Sequence, residues 1–157
     1  MSTPANAPAS SLPSEQESTR ALIAVLMQEQ AILIAGSVDG LPELTATKST
    51  LLLELTALAT ARHARLEESG FPASEQGMRA WCDANYSNGK ESPWSALLTL
   101  TAEAKELNRV NGMLIARHMV RNQTELNILQ GKSQHGGFYG PDGQSTGKAP
   151  GRGLAIG

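Results

Sequence analysis

Side chains that could do acid–base or metal chemistry are few in this sequence, and their spacing does not bring them together. Three histidines and one cysteine are present, at His63, His118, His135 and Cys82. A metal site needs several such ligands at short spacing, and none forms an H-x-x-x-H or C-x-x-C pair. A reactive thiolate needs a neighbouring base, which Cys82 lacks in the sequence. We therefore predict ordinary histidines, a half-buried thiol, and no catalytic, cofactor or metal site.

Two short patterns imitate functional motifs but fail in their details. Residues 143–148 (GQSTGK) resemble a phosphate loop, yet the motif is one residue short, Ala149 follows it, and no strand is predicted before it. Residues 122–124 match a glycosylation sequon, but a cytoplasmic helix would not meet the glycosylation machinery. The N-terminus lacks the basic and apolar blocks of a signal peptide, and a lone cysteine is typical of a reducing compartment. The sequence thus predicts a cytoplasmic protein that is not an enzyme.

Composition limits both the fold and the partners. The chain has 157 residues, 40% hydrophobic but only 4% aromatic, which suits one domain built from helices with Leu, Ile, Ala and Met in the core. Its net charge is −2, so it lacks the basic surface that nucleic-acid binding requires. The apolar helix patterns are interrupted by polar residues, so no membrane insertion is expected.

Helix-start and helix-stop residues divide the chain into a helical domain, residues 14–130, and two flexible ends. Residues 1–13 are rich in Ser, Pro and Ala, have little to bury, and predict a flexible arm. Residues 131–157 contain nine of the 15 glycines and predict a Gly-rich flexible tail without a core of its own.

Three long helices and one short helix are predicted inside this domain. The long ones cover about residues 15–35, 41–69 and 93–130, and the short one follows Ser74. The predicted caps are a capping box at Ser14, Ser92 before Pro93, and the end glycines Gly36 and Gly70. The fold class is therefore all-α, either an antiparallel helical bundle or an extended coiled-coil hairpin.

Charged and aromatic residues interrupt the apolar faces of these helices. The second long helix carries a row of leucines at spacings of three and four, with Lys48 and Arg62 in the same row. We expect their stems to cover apolar neighbours while their charged ends stay in water. Trp81 and Trp94 are expected to plug one end of the bundle, the alternative being an exposed aromatic patch for a partner.

The last long helix has a broad apolar stripe that also carries amides. One account is a bundle core in which a few polar residues fix the register, with a close helix crossing at Gly112. The other is a groove that accepts an amphipathic helix from another chain, with Asn108, Asn111 and Ile115 as partner-binding residues. The two accounts are compatible, and the last turns, residues 122–130, are then expected to dock the partner.

Several segments on and after this helix resemble a known family. They are residues 106–115 (ELNRVNGMLI), then Asn122, Leu126 and Leu129, then residues 139–144 (YGPDGQ). In this order they resemble the FlgN family, small cytoplasmic chaperones of flagellar type III export. The resemblance covers about residues 15–144.

The resemblance implies a function and partners. Such chaperones bind hook-associated proteins, prevent their premature assembly, and deliver them to the export gate or the export ATPase. The resemblance places client binding at Asn122, Leu126 and Leu129, and further at Tyr139. The alternative is a structural coiled-coil adaptor that pairs with itself. Either function is compatible with a weak homodimer.

Overall fold

Four α-helices and one short 3₁₀ helix form the part of the chain that the computed structural model describes, which is residues 4–86 and 92–135, with side chains described to residue 131. The 3₁₀ helix Pro8–Ser11 is followed by α1 (Leu12–Ile34), α2 (Leu41–Glu68), α3 (Glu75–Asn85) and α4 (Pro93–His135). The described residues contain no strand. The all-α prediction, with three long helices and one short helix, is confirmed.

The N-terminal prediction is wrong from residue 8 onward. Pro8, Ala9 and Ser11 are buried in the 3₁₀ helix, and Leu12 is completely buried. Helix α1 starts at Leu12, so Ser14 lies inside the helix rather than at its cap. A few small apolar side chains are enough to fix this segment, because they enter a core that distant parts of the chain supply.

The other predicted helix ends agree with the structure, except at the end of α4. Ser74 Oγ accepts a hydrogen bond from the Gly77 N–H (3.0 Å), and Ser92 Oγ accepts one from the Ser95 N–H (3.2 Å). Both are N-caps that satisfy free backbone donors. Helix α4 does not stop at residue 130 but continues through Gly131 to His135, since one glycine costs a helix only about 1 kcal/mol.

The chain divides into two units, Met1–Ile115 and Ala116–Gly157, and α4 contributes to both. In the first unit α1 and α2 are antiparallel, as the ion pairs Glu15–Arg62 and Glu29–Lys48 show. Helix α1 runs parallel to the first part of α4. Gln16 Nε2 donates to the Pro93 carbonyl (2.8 Å), and farther along Asn111 Nδ2 donates to the Leu26 carbonyl (2.8 Å).

Two apolar clusters form the core of the first unit. The first lies where α1 and α4 begin and α2 ends, and it includes Leu12, Leu66, Met78, Trp81 and Trp94. Both tryptophans are buried, so the predicted plug is confirmed and the exposed aromatic patch is wrong. The second cluster joins the middle of α1 to α2 and α4, through Leu22, Ile23, Leu26, Ala104 and the partly buried Leu51, Leu55, Leu100 and Leu107.

Gly77 is required by close packing in the first turn of α3. A Cβ atom there would lie 1.8 Å from the Pro72 carbonyl oxygen, which is backbone and cannot rotate away. We expect Gly77→Ala to lower the free energy of unfolding by about 1–3 kcal/mol in a urea titration, the usual cost of overpacking. Gly112→Ala is the control, because nothing lies within 4 Å of its added Cβ. The control should be neutral or stabilising by up to about 1 kcal/mol, and an equal loss in both variants would contradict this account.

Candidate partner-binding surfaces

The two basic residues of the α2 row pair with acids on α1. Arg62 Nε lies 3.0 Å from Glu15 Oε1, its Nη2 lies 3.3 Å from Oε2, and its Cζ lies 4.6 Å from the centre of the Trp94 ring. Arg62 is only 6% exposed and Glu15 only 3%. The prediction that the charged end of Arg62 stays in water is therefore wrong. The charged end of Lys48 is partly covered, and its Nζ lies 3.5 Å from Oε1 of the buried Glu29.

The leucine row of α2 does not by itself identify Glu15 and Glu29 as the partners of its two bases, although the sequence contains a signal for both pairs. Glu15 and Glu29 are 14 residues apart on α1, and so are Lys48 and Arg62 on α2. In an antiparallel pair of helices with heptad spacing, two acids and two bases with equal separation can pair in a single register. The matching intervals identify both pairs once the two helices are known to be neighbours.

Asn111 is an internal residue of the helical bundle. It is 1% exposed, and its Nδ2 donates to the Leu26 carbonyl and to Glu29 Oε1 (2.9 Å). The account of a polar core residue that fixes register fits Asn111, which has no surface left for a partner. The close helix crossing predicted at Gly112 is wrong, since nothing lies within 4 Å of a Cβ placed there.

The first unit contains an open groove of about 330 Å³. Its walls are α2 and α4, and α1 forms its floor with Glu15, Thr19 and Leu22. Asn108 is exposed and lines this groove, while Ile115, at the end of the unit, is 40% exposed. Of the three predicted partner-binding residues, the structure therefore leaves Asn108 and Ile115 accessible. The remaining lining residues are Lys48, Leu52, Leu55, Ala59, Arg62, Glu75, Trp94, Leu97, Leu98, Thr101, Ala104 and Lys105.

The second unit carries exposed apolar side chains on α4. Met119, Leu126 and Leu129 are all more than half exposed, and Asn122 lies in the same row at spacings of three and four. On other sides of the helix, Val120 and Ile128 are also more than half exposed. Apolar side chains of this size, repeated on one helix face, are typical of a surface that binds another chain. Tyr139 lies outside the described residues.

The chemically reactive residues do not converge. Cys82 is buried in the first apolar cluster, and this burial raises the pKa of its thiol, which keeps it protonated and unreactive at neutral pH. Among the described residues, no group of three or more His, Cys, Asp or Glu side chains could hold a metal ion. Nor does any helix in that part of the chain combine the length and apolarity needed to cross a membrane.

Together these features define an all-α protein whose described residues carry an open groove and a row of exposed apolar side chains. The chain matches the FlgN protein family over residues 1–147, and it belongs to that family. It is 34% identical to the flagella synthesis protein FlgN of Proteus mirabilis over 123 residues, 77% of each chain.

Other relatives carry the same name. The FlgN protein of Salmonella typhimurium is 30% identical over 124 residues, 78% of each chain. That of Yersinia enterocolitica is 28% identical over 134 residues, 83% of this chain and 84% of the relative. No solved structure matches the chain.

Proposed function

We propose that this protein is a cytoplasmic chaperone of flagellar export that binds hook-associated proteins and delivers them to the export apparatus. Family membership supports the flagellar role, and its relatives are named as flagella synthesis proteins. The observation that supports client binding most directly is the row of Met119, Asn122, Leu126 and Leu129, which α4 leaves exposed. Such a row can cover the apolar face of an unassembled client helix and release it again.

The decisive experiment is co-purification of a hook-associated protein with the full chain and with two matched double variants. Leu126→Asp with Leu129→Asp places two charges in the row, and we expect client recovery to fall at least tenfold. Val120→Asp with Ile128→Asp places two charges at similarly exposed positions elsewhere on the helix, and recovery should be retained. Circular dichroism should show unchanged helix content in both, because all four side chains are exposed.

Two results would contradict the proposal. Equal recovery with both double variants would show that this row does not bind the client. A stable homodimer in light scattering that ignores every hook-associated protein would favour the rival function, a self-pairing coiled-coil adaptor. We extend the proposal to Tyr139 as a contact to client or export gate, which crosslinking from that position in cells can assign.

A further inference from the structure

Two walls of the groove present rows of side chains with the same helical spacing. The α2 wall has Lys48, Leu52, Leu55, Ala59 and Arg62, and the α4 wall has Trp94, Leu97, Thr101, Ala104 and Asn108. The accessible side chains of these two rows are Lys48, Leu52, Leu55, Ala59, Thr101 and Asn108, and the others are buried at the base of the groove. Both rows advance by alternating steps of three and four over 14 residues, about 21 Å of helix. On the floor, α1 presents Glu15, Thr19 and Leu22 with the same spacing. The side-chain rows of all three helices therefore border the same groove, and they have the spacing with which helices pack side by side.

From this geometry we infer that the groove binds an amphipathic helix of about 14 residues from a flagellar client protein, seated as the fourth helix of a four-helix bundle. The source of this helix rests on the proposed function, but the site is separate from the exposed row on residues 116–131. Four-helix bundles pack rows of this kind around a shared core, and here three of the four positions are filled by the chain itself. A helix fits this groove better than an extended strand, because a strand repeats its side chains every two residues.

The charges at the groove edges determine the direction of that helix. Lys105 is exposed and makes no ion pair with any described residue, and Lys48 lies at the same end, partly covered beside Glu29. Exposed Glu75, on α3, lines the groove at the other end, where the first apolar cluster joins α3 to Trp94. A helix has a negative C-terminus and a positive N-terminus. The bound helix therefore places its C-terminus, or acidic side chains there, near Lys105 and runs parallel to α1 and α4.

Two neighbouring leucines provide a matched test. Leu52 lines the groove and is 46% exposed, whereas Leu53 is 73% exposed and does not line it. We expect Leu52→Asp to weaken binding of a hook-associated protein at least tenfold, and Leu53→Asp to change it less than twofold. Both variants should keep the urea midpoint and helix content of the natural chain, since both side chains already contact water.

A synthetic probe tests the groove without relying on the client. The probe is a fluorescent 18-residue peptide with leucines at spacings of three and four and two glutamates at its C-terminal end. Its control is the same peptide with glutamines in place of the two glutamates. The natural chain should bind the glutamate peptide more tightly. Lys105→Glu should remove that preference, while Arg79→Glu on α3, which makes the same change of charge outside the groove, should keep it.

The outcomes separate this inference from the proposed function. Client binding that is insensitive to Leu52→Asp, with no binding of the peptide, overturns the groove and leaves the chaperone proposal in place. Peptide binding that depends on Leu52, without binding of any hook-associated protein, supports the groove and overturns the chaperone proposal. If neither a hook-associated protein nor the peptide binds, both the groove inference and the chaperone proposal are overturned.

Discussion

Glu15→Gln is expected to lower the free energy of unfolding by about 3–5 kcal/mol, because it leaves the buried guanidinium of Arg62 without its counter-charge. Both members of this pair are more than nine-tenths buried, and no described acid other than Glu15 lies within ion-pair distance of Arg62. Chemical denaturation by urea at neutral pH, followed by circular dichroism, measures the loss. The same variant should loosen the junction of α1, α2 and Trp94, since Arg62 also lies over that ring.

Two controls separate burial from charge in this prediction. Glu106→Gln breaks a surface pair with the same chemistry, in which Arg109 Nη2 lies 2.7 Å from Glu106 Oε1 and lowers the pKa of that carboxyl, and it should leave stability nearly unchanged. Glu15→Leu combined with Arg62→Met removes both charges. It should recover most of the loss, although Ser11 then loses the carboxylate to which its hydroxyl donates. A double variant as unstable as Glu15→Gln would show that the packing, not the lost counter-charge, sets the cost.

The helices were predictable because their signals are local. Ser74, Ser92 and the leucine row of α2 act through neighbours within a turn or two, so they can be recognised in the sequence alone. The burial of Leu12 was not predictable in this way. It depends on Leu66, Met78 and other residues that are remote in sequence, whereas the first residues by themselves have little to bury.

The candidate site was predicted only in part, for a similar reason. Asn108 and Asn111 lie three residues apart on one stripe and have the same side chain, yet one lines an open groove and the other is buried. The difference comes from Glu29 and the Leu26 carbonyl, more than 80 residues away, which meet one amide and not the other. The apolar row on the last turns of α4, in contrast, follows from helical spacing, and the structure leaves its side chains exposed.

Asn111→Asp tests whether this buried amide joins α1 to α4. The substitution removes the Nδ2 donor that serves Glu29 and Leu26, and it places a second carboxyl close to Glu29. We expect the free energy of unfolding at pH 7 to fall by about 3 kcal/mol, the cost of a lost hydrogen bond to a charged group together with unpaired buried acceptors. Asn122→Asp adds the same charge at an exposed position of α4 and should change stability little.

The pH dependence of this loss gives a sharper check than its size. Two neighbouring buried carboxyls cannot both ionise easily, so the pKa of the introduced carboxyl in the folded chain lies above its unfolded value of about 3.9. The folded state then holds a proton that the unfolded state has released, and stability rises as the pH falls through the folded pKa. The difference from the natural chain should therefore shrink between pH 7 and about pH 4, measured as urea midpoints at each pH. A constant difference over this range would show that the introduced carboxyl does not face Glu29 in the folded chain.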